Sequence, residues 1–319
     1  MGDSMAAELA AGGSEMSIAG VIVTFNTDVP ELSSALRLIS TSLSELVLAD
    51  NSDDPDIARD IKELAESMGA TYIGLGGNLG IAAAQNSAIR HIRSQGHEYV
   101  LFLDDDSKMT ADAVWALLAA LKEEQRKYPK TIAAGPIILD ERANIPLAFV
   151  WKSSAIKRLV DVDATAEPIE AAFLLSSGCL IEMTAFEAIG EFRDEYFIDH
   201  VDKEWGLRAG LLGYRLIVVP GVVMNHLLAD SVEFDSRGIP RHQHQNPIRD
   251  YYLTRNGIFI LRDLRLPPVR RFRMMLFLGA AYARKMRRKS TTPVQRRIMT
   301  AAVLDGLRNR RGPLAPTVK

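Results

Sequence analysis

Three consecutive carboxylates, Asp104-Asp105-Asp106, follow directly on the apolar run Leu101-Phe102-Leu103. Carboxylates crowded together repel one another unless a cation or hydrogen-bond donors neutralise them. Oxygen ligands of this kind suit a hard divalent cation, which can also hold a diphosphate. A second apolar run, Leu46 to Ala49, ends in Asp50-Asn51-Ser52 and puts a carboxylate where it can accept hydrogen bonds from a nucleoside. Gly76-Gly77-Asn78-Leu79-Gly80 precedes a helical pattern, so backbone amides there can face a ligand. Its spacing is neither the dinucleotide nor the phosphate-loop fingerprint, which argues against hydride transfer and kinase chemistry. Further on, Asp199, Asp202 and Glu204 open another helical stretch. Only Asp199 and Asp202, three apart, share a helix face, and one carboxylate there could take the proton of an attacking hydroxyl. Each feature also has a plainer reading, as a solvated acidic turn or a helix start favoured by the macrodipole.

The elements that must position these groups alternate. Apolar runs at 18–25, 46–49, 71–74 and 98–103 read as strands. Helical patterns run from Pro30, over 55–68, over 79–93, and from a Thr110 cap to about Lys127. Strands alternating with helices predict a mainly parallel α/β sheet with ligands at the carboxyl ends of its strands. Beyond Lys127 the expected strands are 132–139, 146–151, 172–181, 214–219 and 221–225, the last two parted by Pro220-Gly221. A helix is expected over 199–212, and after Asn246 helix to Leu307 with a break at Pro267-Pro268. The stretch 229–245, with His242 and His244, lacks periodicity and reads as a mobile loop. The expected division is a flexible leader 1–16, a catalytic domain 17–261 with halves 17–130 and 131–261, and a helical extension 262–319.

Composition narrows the class. The chain has 319 residues, 47% apolar and 24% charged, which excludes disordered, collagen-like and disulfide-scaffold proteins. The single cysteine, Cys179, forms no internal disulfide, and a reducing, cytoplasmic setting is expected. From Arg262 onward there are 16 Lys and Arg against 2 acids, a net of +14, leaving −16 on the first 261 residues. An acidic body with a basic tail points to an anionic partner at the tail. No stretch reaches the ~20 apolar residues of a spanning helix.

Taken in order, Val21-Ile22-Val23-Thr24-Phe25-Asn26, Asp50-Asn51, Asn78-Leu79-Gly80 with Asn86, and Asp104-Asp105-Asp106 resemble an inverting family 2 glycosyltransferase of the GT-A fold. Ser177-Gly178-Cys179-Leu180-Ile181 resembles the family's acceptor-side strand. Phe197 to Trp205, continued by Arg208, resembles its catalytic-base helix, and Asn225-His226 its late metal-site histidine. Tyr251-Tyr252-Leu253-Thr254-Arg255-Asn256 is similar to a segment of the bacterial rhamnosyltransferase branch. The resemblance covers roughly residues 18 to 262.

The resemblance implies roles. Asp104 would face the ribose or the metal, and Asp106 would ligate Mg²⁺ or Mn²⁺ with His226 as a further ligand, while Asp105 points elsewhere. Asp202 would be the base. Thr24, Asn26, Asp50 and Asn78 would line the nucleotide, and Ser177, Gly178, Glu204 and Trp205 the acceptor. Trp205 could equally fill the core. Arg249 and Arg255 suit diphosphate oxygens, although a surface ion pair suits them as well. The expected donor is a nucleoside diphosphate sugar, with dTDP-L-rhamnose favoured and UDP- or GDP-sugars as alternatives. The expected acceptor is a hydroxyl of a bacterial surface glycan or lipid-linked precursor. Nucleotidyl transfer and a non-catalytic sugar-nucleotide scaffold are the rivals. The tail's apolar stretch 274–283, flanked by Arg270, Arg271, Arg273 and the run Arg284 to Lys289, suits an anionic membrane surface or a subunit interface, and nucleic acid is not expected.

Overall fold

The computed structural model describes residues 16–140, 145–152, 155–159, 166–226, 231–234, 240–243, 246–288 and 291–314, with side chains over 16–139, 166–225, 246–288 and 291–314. The expected leader therefore lies almost wholly outside the described residues. Strands β1 (Ile18–Thr24), β2 (Glu45–Asp50), β3 (Thr71–Gly74) and β4 (Tyr99–Asp104) alternate with helices α1 (Val29–Ile39), α2 (Pro55–Ser67) and α3 (Ile81–Gln95). Helix α4 (Ala111–Lys127) follows, then β5 (Thr131–Asp140), β6 (Ile145–Lys152), β7 (Ala155–Leu159), β8 (Ile169–Phe173) and β9 (Cys179–Glu182). Helices α5 (Thr184–Ile189) and α6 (Val201–Leu211) lead to β10 (Arg215–His226), the ribbon β11 (Ser231–Phe234) and β12 (Pro240–Gln243), and helices α7 (Pro247–Asp263), α8 (Pro268–Arg287) and α9 (Pro293–Leu307).

The described strands form one ten-stranded sheet in the order β3-β2-β1-β4-β9-β5-β10-β8-β6-β7, with β11 and β12 paired separately. The sheet is parallel from β3 to β4 and again between β5 and β10, while β9 lies antiparallel to both β4 and β5. Continuous apolar strands are what a doubly covered sheet requires. Ala19 and Val21 face a core shared with α3 and α6, whereas Ile18 and Ile22 face one built on α1, α2 and α4. Helix starts follow side-chain caps: Asp28, Asp54, Thr110, Asn246 and Thr292 each accept a backbone N–H of the first turn.

Four expectations change. The single strand expected over 172–181 is two, β8 and β9, separated by a loop in which Gly178 adopts φ +80° and donates its N–H to Phe102 O (2.8 Å). Pro220-Gly221 does not split β10, because the extra residues are absorbed as a bulge between Val219 and Val223. The stretch read as loop contains the antiparallel β11–β12 pair. The C-terminal helical run breaks a second time, between α8 and α9, at a Thr292–Gln295 capping box.

Glu204 is wholly buried in α6 and binds two arginines, Arg193 Nε (2.9 Å) and Arg208 Nε (3.0 Å). It therefore does not reach an acceptor: burial among arginines makes it a structural anion. Its removal takes the shared carboxylate from two partly buried guanidinium groups, so Glu204→Ala is expected to lower unfolding free energy by about 3 kcal/mol in urea titration, and Glu204→Gln by less.

Candidate active site

At the carboxyl end of the parallel strands, Asp104 closes β4. Its N–H donates to Ser177 Oγ (3.2 Å), Ser177 Oγ meets Ser107 Oγ (2.5 Å), and Ser107 N donates back to Asp104 O (3.1 Å). The acidic turn is thus pinned to the loop before β9. Ser177 and Gly178 are buried, and a Cβ at Gly178 would sit 2.8 Å from Pro136. Ser177 braces the acidic turn, and Gly178 bonds the end of β4 through Phe102 O. Asp105 is turned to Thr27 Oγ1, and burial raises its carboxyl. Asp106 is exposed. His226 ends β10, and its side chain lies outside the described residues.

Asp50 closes β2, but its carboxylate is buried and accepts from Thr24 Oγ1 (2.8 Å), Ser52 N (3.0 Å), Ser52 Oγ (2.6 Å) and Tyr72 OH (2.9 Å). Thr24 is buried with it. Asn26, at φ 49°, donates its N–H to Ser52 Oγ and its amide to Asp53. Asn51, which sequence reasoning left without a role, accepts from Leu79 N (3.1 Å) and donates to Gly80 O (3.1 Å), clamping the glycine loop to β2. Asn78 is exposed and accepts Gly80 N. Leu79 and Phe25 leave apolar surface beside these strand ends.

Gly80 touches the second half of the site. At φ +90° it lets the loop pass so close to Phe197 that a Cβ would meet Phe197 O at 2.5 Å. Phe197 itself has φ 66° and ψ −69°, and Ile198 N donates to Tyr196 O (2.8 Å), a γ-turn of the rare, strained hand. Asp199 and His200 follow at φ 63° each. Non-glycine residues hold such angles only where surrounding structure fixes them. Here Asn256 Nδ2 donates to the carbonyls of Tyr196 (2.9 Å), Ile198 (2.8 Å) and Asp199 (2.8 Å). Arg255 beside it, 0% exposed, donates to Gly312 O (2.5 Å), Glu195 O (3.3 Å) and Tyr196 O (3.3 Å). Arg255 is therefore no diphosphate clamp, since its guanidinium is buried against carbonyls. Asn86 ties the same segment through Phe192 and Asp194.

This loop delivers α6. Asp199 is bound by Arg249 through two contacts, 2.8 and 2.7 Å, so a diphosphate would compete with that carboxylate for Arg249. Asp202 accepts from Lys203 N (2.7 Å) and Ser176 N (3.3 Å). Desolvation pushes its carboxyl up to about 6, with the nearby Asp199 charge adding to the rise. Burial lowers Lys203 to about 8 and holds the His200 imidazole neutral. Trp205 is buried among Phe186 and Phe192 and donates to Gly190 O (2.9 Å), which makes it core, not a sugar platform. Buried Cys179 has its thiol pushed up and is inert.

The sheet and its flanking helices have GT-A architecture. Solved structures share it: mannosyltransferase PcManGT from Pyrobaculum calidifontis in complex with GDP-Man and Mn²⁺ (TM-score 0.55, 13% identity, 96% of this chain and 94% of that one) and S. aureus TarS 1–349 in complex with UDP-GlcNAc (0.56, 16%, 92% and 81%). The profile of Glycosyl transferase family 2 matches residues 21–138. A Shigella flexneri protein described as dTDP-rhamnosyl transferase RfbF is 30% identical over 263 residues, 82% of this chain and 85% of its own length. The chain belongs to glycosyltransferase family 2 and is a glycosyltransferase.

Asn256→Ala takes this donor from the carbonyls of Ile198 and Asp199, while Tyr196 O keeps Ile198 N and Arg255, and is expected to cost about 2–3 kcal/mol, read from the urea midpoint. A folded carboxyl raised above its ordinary 3.8 binds its proton more tightly than the unfolded chain does. Native stability contributed by Asp202 therefore falls as pH rises through the window from about 4 to 6. Asp202→Asn is expected to melt higher than the parent at about pH 7.5 and to lose that advantage near pH 4, in parallel thermal scans.

Proposed function

We propose that the enzyme is a metal-dependent, inverting transferase that moves L-rhamnose from dTDP-L-rhamnose to a hydroxyl of a bacterial surface glycan or its lipid-linked precursor. The donor rests on one observation, the 30% identity over most of both chains to a protein described as a dTDP-rhamnosyl transferase. Asp202 supports the chemistry: a desolvated carboxyl near 6 is ionised at neutral pH yet basic enough to take a hydroxyl proton. As the acceptor oxygen bonds to the anomeric carbon, Asp202 takes its proton, and the bond from that carbon to the diphosphate breaks on the opposite face. Asp199 is instead engaged by Arg249.

The residue types at the rim suit Mg²⁺ or Mn²⁺, although among the described residues no three such side chains gather there. Asp104 and Asp106 are hard oxygen ligands at a strand end, with Asp105 turned aside to Thr27, and His226 would add a nitrogen. A cation held there would offset the charge of the leaving diphosphate. Asp50, through Thr24, Ser52 and Tyr72, fixes the floor on which a base would lie, with Asn26, Asn78, Phe25 and Leu79 at its edge. On the partner side, the basic extension would bring the enzyme peripherally to an anionic membrane surface.

A thermal-shift series checks the reading. With Mn²⁺, dTDP-L-rhamnose is expected to raise the melting temperature more than UDP- or GDP-sugars do, since binding to the folded state stabilises it. Asp106→Ala should abolish that metal-dependent rise. Asp202→Asn should keep it while losing turnover by about a thousandfold or more. A larger rise with another sugar nucleotide would reassign the donor, and unimpaired turnover in Asp202→Asn would remove the base.

A further inference from the structure

Helix α8 is the anomaly of this molecule: twenty residues long, it has no buried residue. It is nonetheless held in place. Leu278 packs on Gly257 of α7, Met274 meets the core, and Lys285 Nζ binds Asp250 at 2.8 Å. These contacts orient one side of α8 inward. Val269, Phe272, Leu276 and Ala283, at spacings of three, four and seven, then fall on the opposite side. Along that side Phe272 is 60% exposed and Leu276 57%, with Phe277 and Met275 exposed beside them. Exposed cations flank the seam: Arg273, Arg284 and Arg287. A shallow groove of about 460 Å³ at the helix's C-terminal end is lined by Ala280, Ala283, Arg284, Arg287 and Arg288.

We infer that this face of α8 is a membrane-docking surface that lies in the plane of an anionic phospholipid bilayer, with Val269, Phe272 and Leu276 inserted among the acyl chains and the flanking arginines on headgroup phosphates. The inference rests on the proposed function only in taking a membrane as partner, and it adds the residues and the mode. Charge complementarity selects the occupant. The segment from Arg262 onward carries +14, and a two-fold contact between copies would set the same arginines against one another. A bilayer instead accepts the apolar seam, and its phosphates pair with the cations, which reach them on long flexible stems. Among the described residues no helix is long and apolar enough to cross a membrane, so α8 would lie on the surface and not span it. Its anchor on α7 gives the contact a fixed orientation relative to the site, because α7 also carries Asn256.

The test is flotation of the full chain with vesicles of equal parts phosphatidylcholine and phosphatidylglycerol, and with phosphatidylcholine alone. The full chain is expected to float with the first and not the second. The double variant Phe272→Glu, Leu276→Glu should bind at least about tenfold more weakly, with its donor-induced thermal shift unchanged. Arg284→Glu with Arg287→Glu should also weaken binding. Flotation that persists unchanged in the apolar double variant would overturn insertion and leave a purely electrostatic contact. No flotation, or a concentration-dependent dimer that the double variant abolishes, would overturn the bilayer and assign the face to a second copy. Loss of the donor shift with flotation intact would count against the proposed transfer reaction and leave the docking surface standing.

Discussion

The carbonyls of Tyr196, Ile198 and Asp199 all point at one amide nitrogen, that of Asn256 on α7. A single NH₂ group has two protons, so three acceptors at 2.8–2.9 Å share them in a bifurcated arrangement. Such convergence is possible only if the backbone folds back on itself, and the positive φ angles at Phe197, Asp199 and His200 are how it does so. Those conformations are each costly by roughly 1–3 kcal/mol. The buried hydrogen bonds from Asn256 and Arg255 offset that cost. The strained turn in turn fixes where α6 begins, and therefore where Asp199 and Asp202 stand.

The turn also joins the two halves of the sheet's rim. Gly80, clamped to β2 by Asn51, lies against Phe197, so the glycine loop and the acidic loop share one contact. On the other side, Ser177 links the acidic turn after β4 to the loop that enters β9, and the neighbouring Ser176 donates to Asp202. A chain of backbone and side-chain hydrogen bonds thus runs from the β4 terminus to the start of α6. Moving one wall of this site would strain the others, which is the rigidity expected of a pre-organised polar site.

The parallel half of the fold was legible because its signal is local. Buried strands of β-branched and aliphatic residues, proline-started helices and the Thr110 cap are read from neighbours a few residues apart. What escaped depends on partners far along the chain. Ala172 to Ile181 is largely apolar, and only the pairing of β8 with β10 and of β9 with β4 shows that it is two strands. Arg255 carries the same guanidinium whether it faces a phosphate or a carbonyl, and its burial against residues 195, 196 and 312 is a tertiary fact. Glu204, two residues after Asp202, turns to the opposite side of the helix, and Trp205 is core because Phe186, Phe192 and the Gly190 carbonyl, distant in sequence, enclose it. Asn51 left a trace that could have been read: a buried amide following a strand-end carboxylate is suited to holding a nearby loop.

Asp199, Asp202 and Glu204 are chemically alike, and the structure separates them by their cations. Glu204 lies between Arg193 and Arg208, and Asp199 is gripped by Arg249. Asp202 is bound by two backbone amides and, among the described residues, by no arginine. Desolvation raises the proton affinity of Asp202, and its two backbone amide donors offset only part of that rise. The arginines therefore do more than neutralise an acidic segment. By engaging its two flanking carboxylates they leave Asp202, whose proton affinity burial raises, with no arginine partner among the described residues, beside the loop that joins the two walls of the rim.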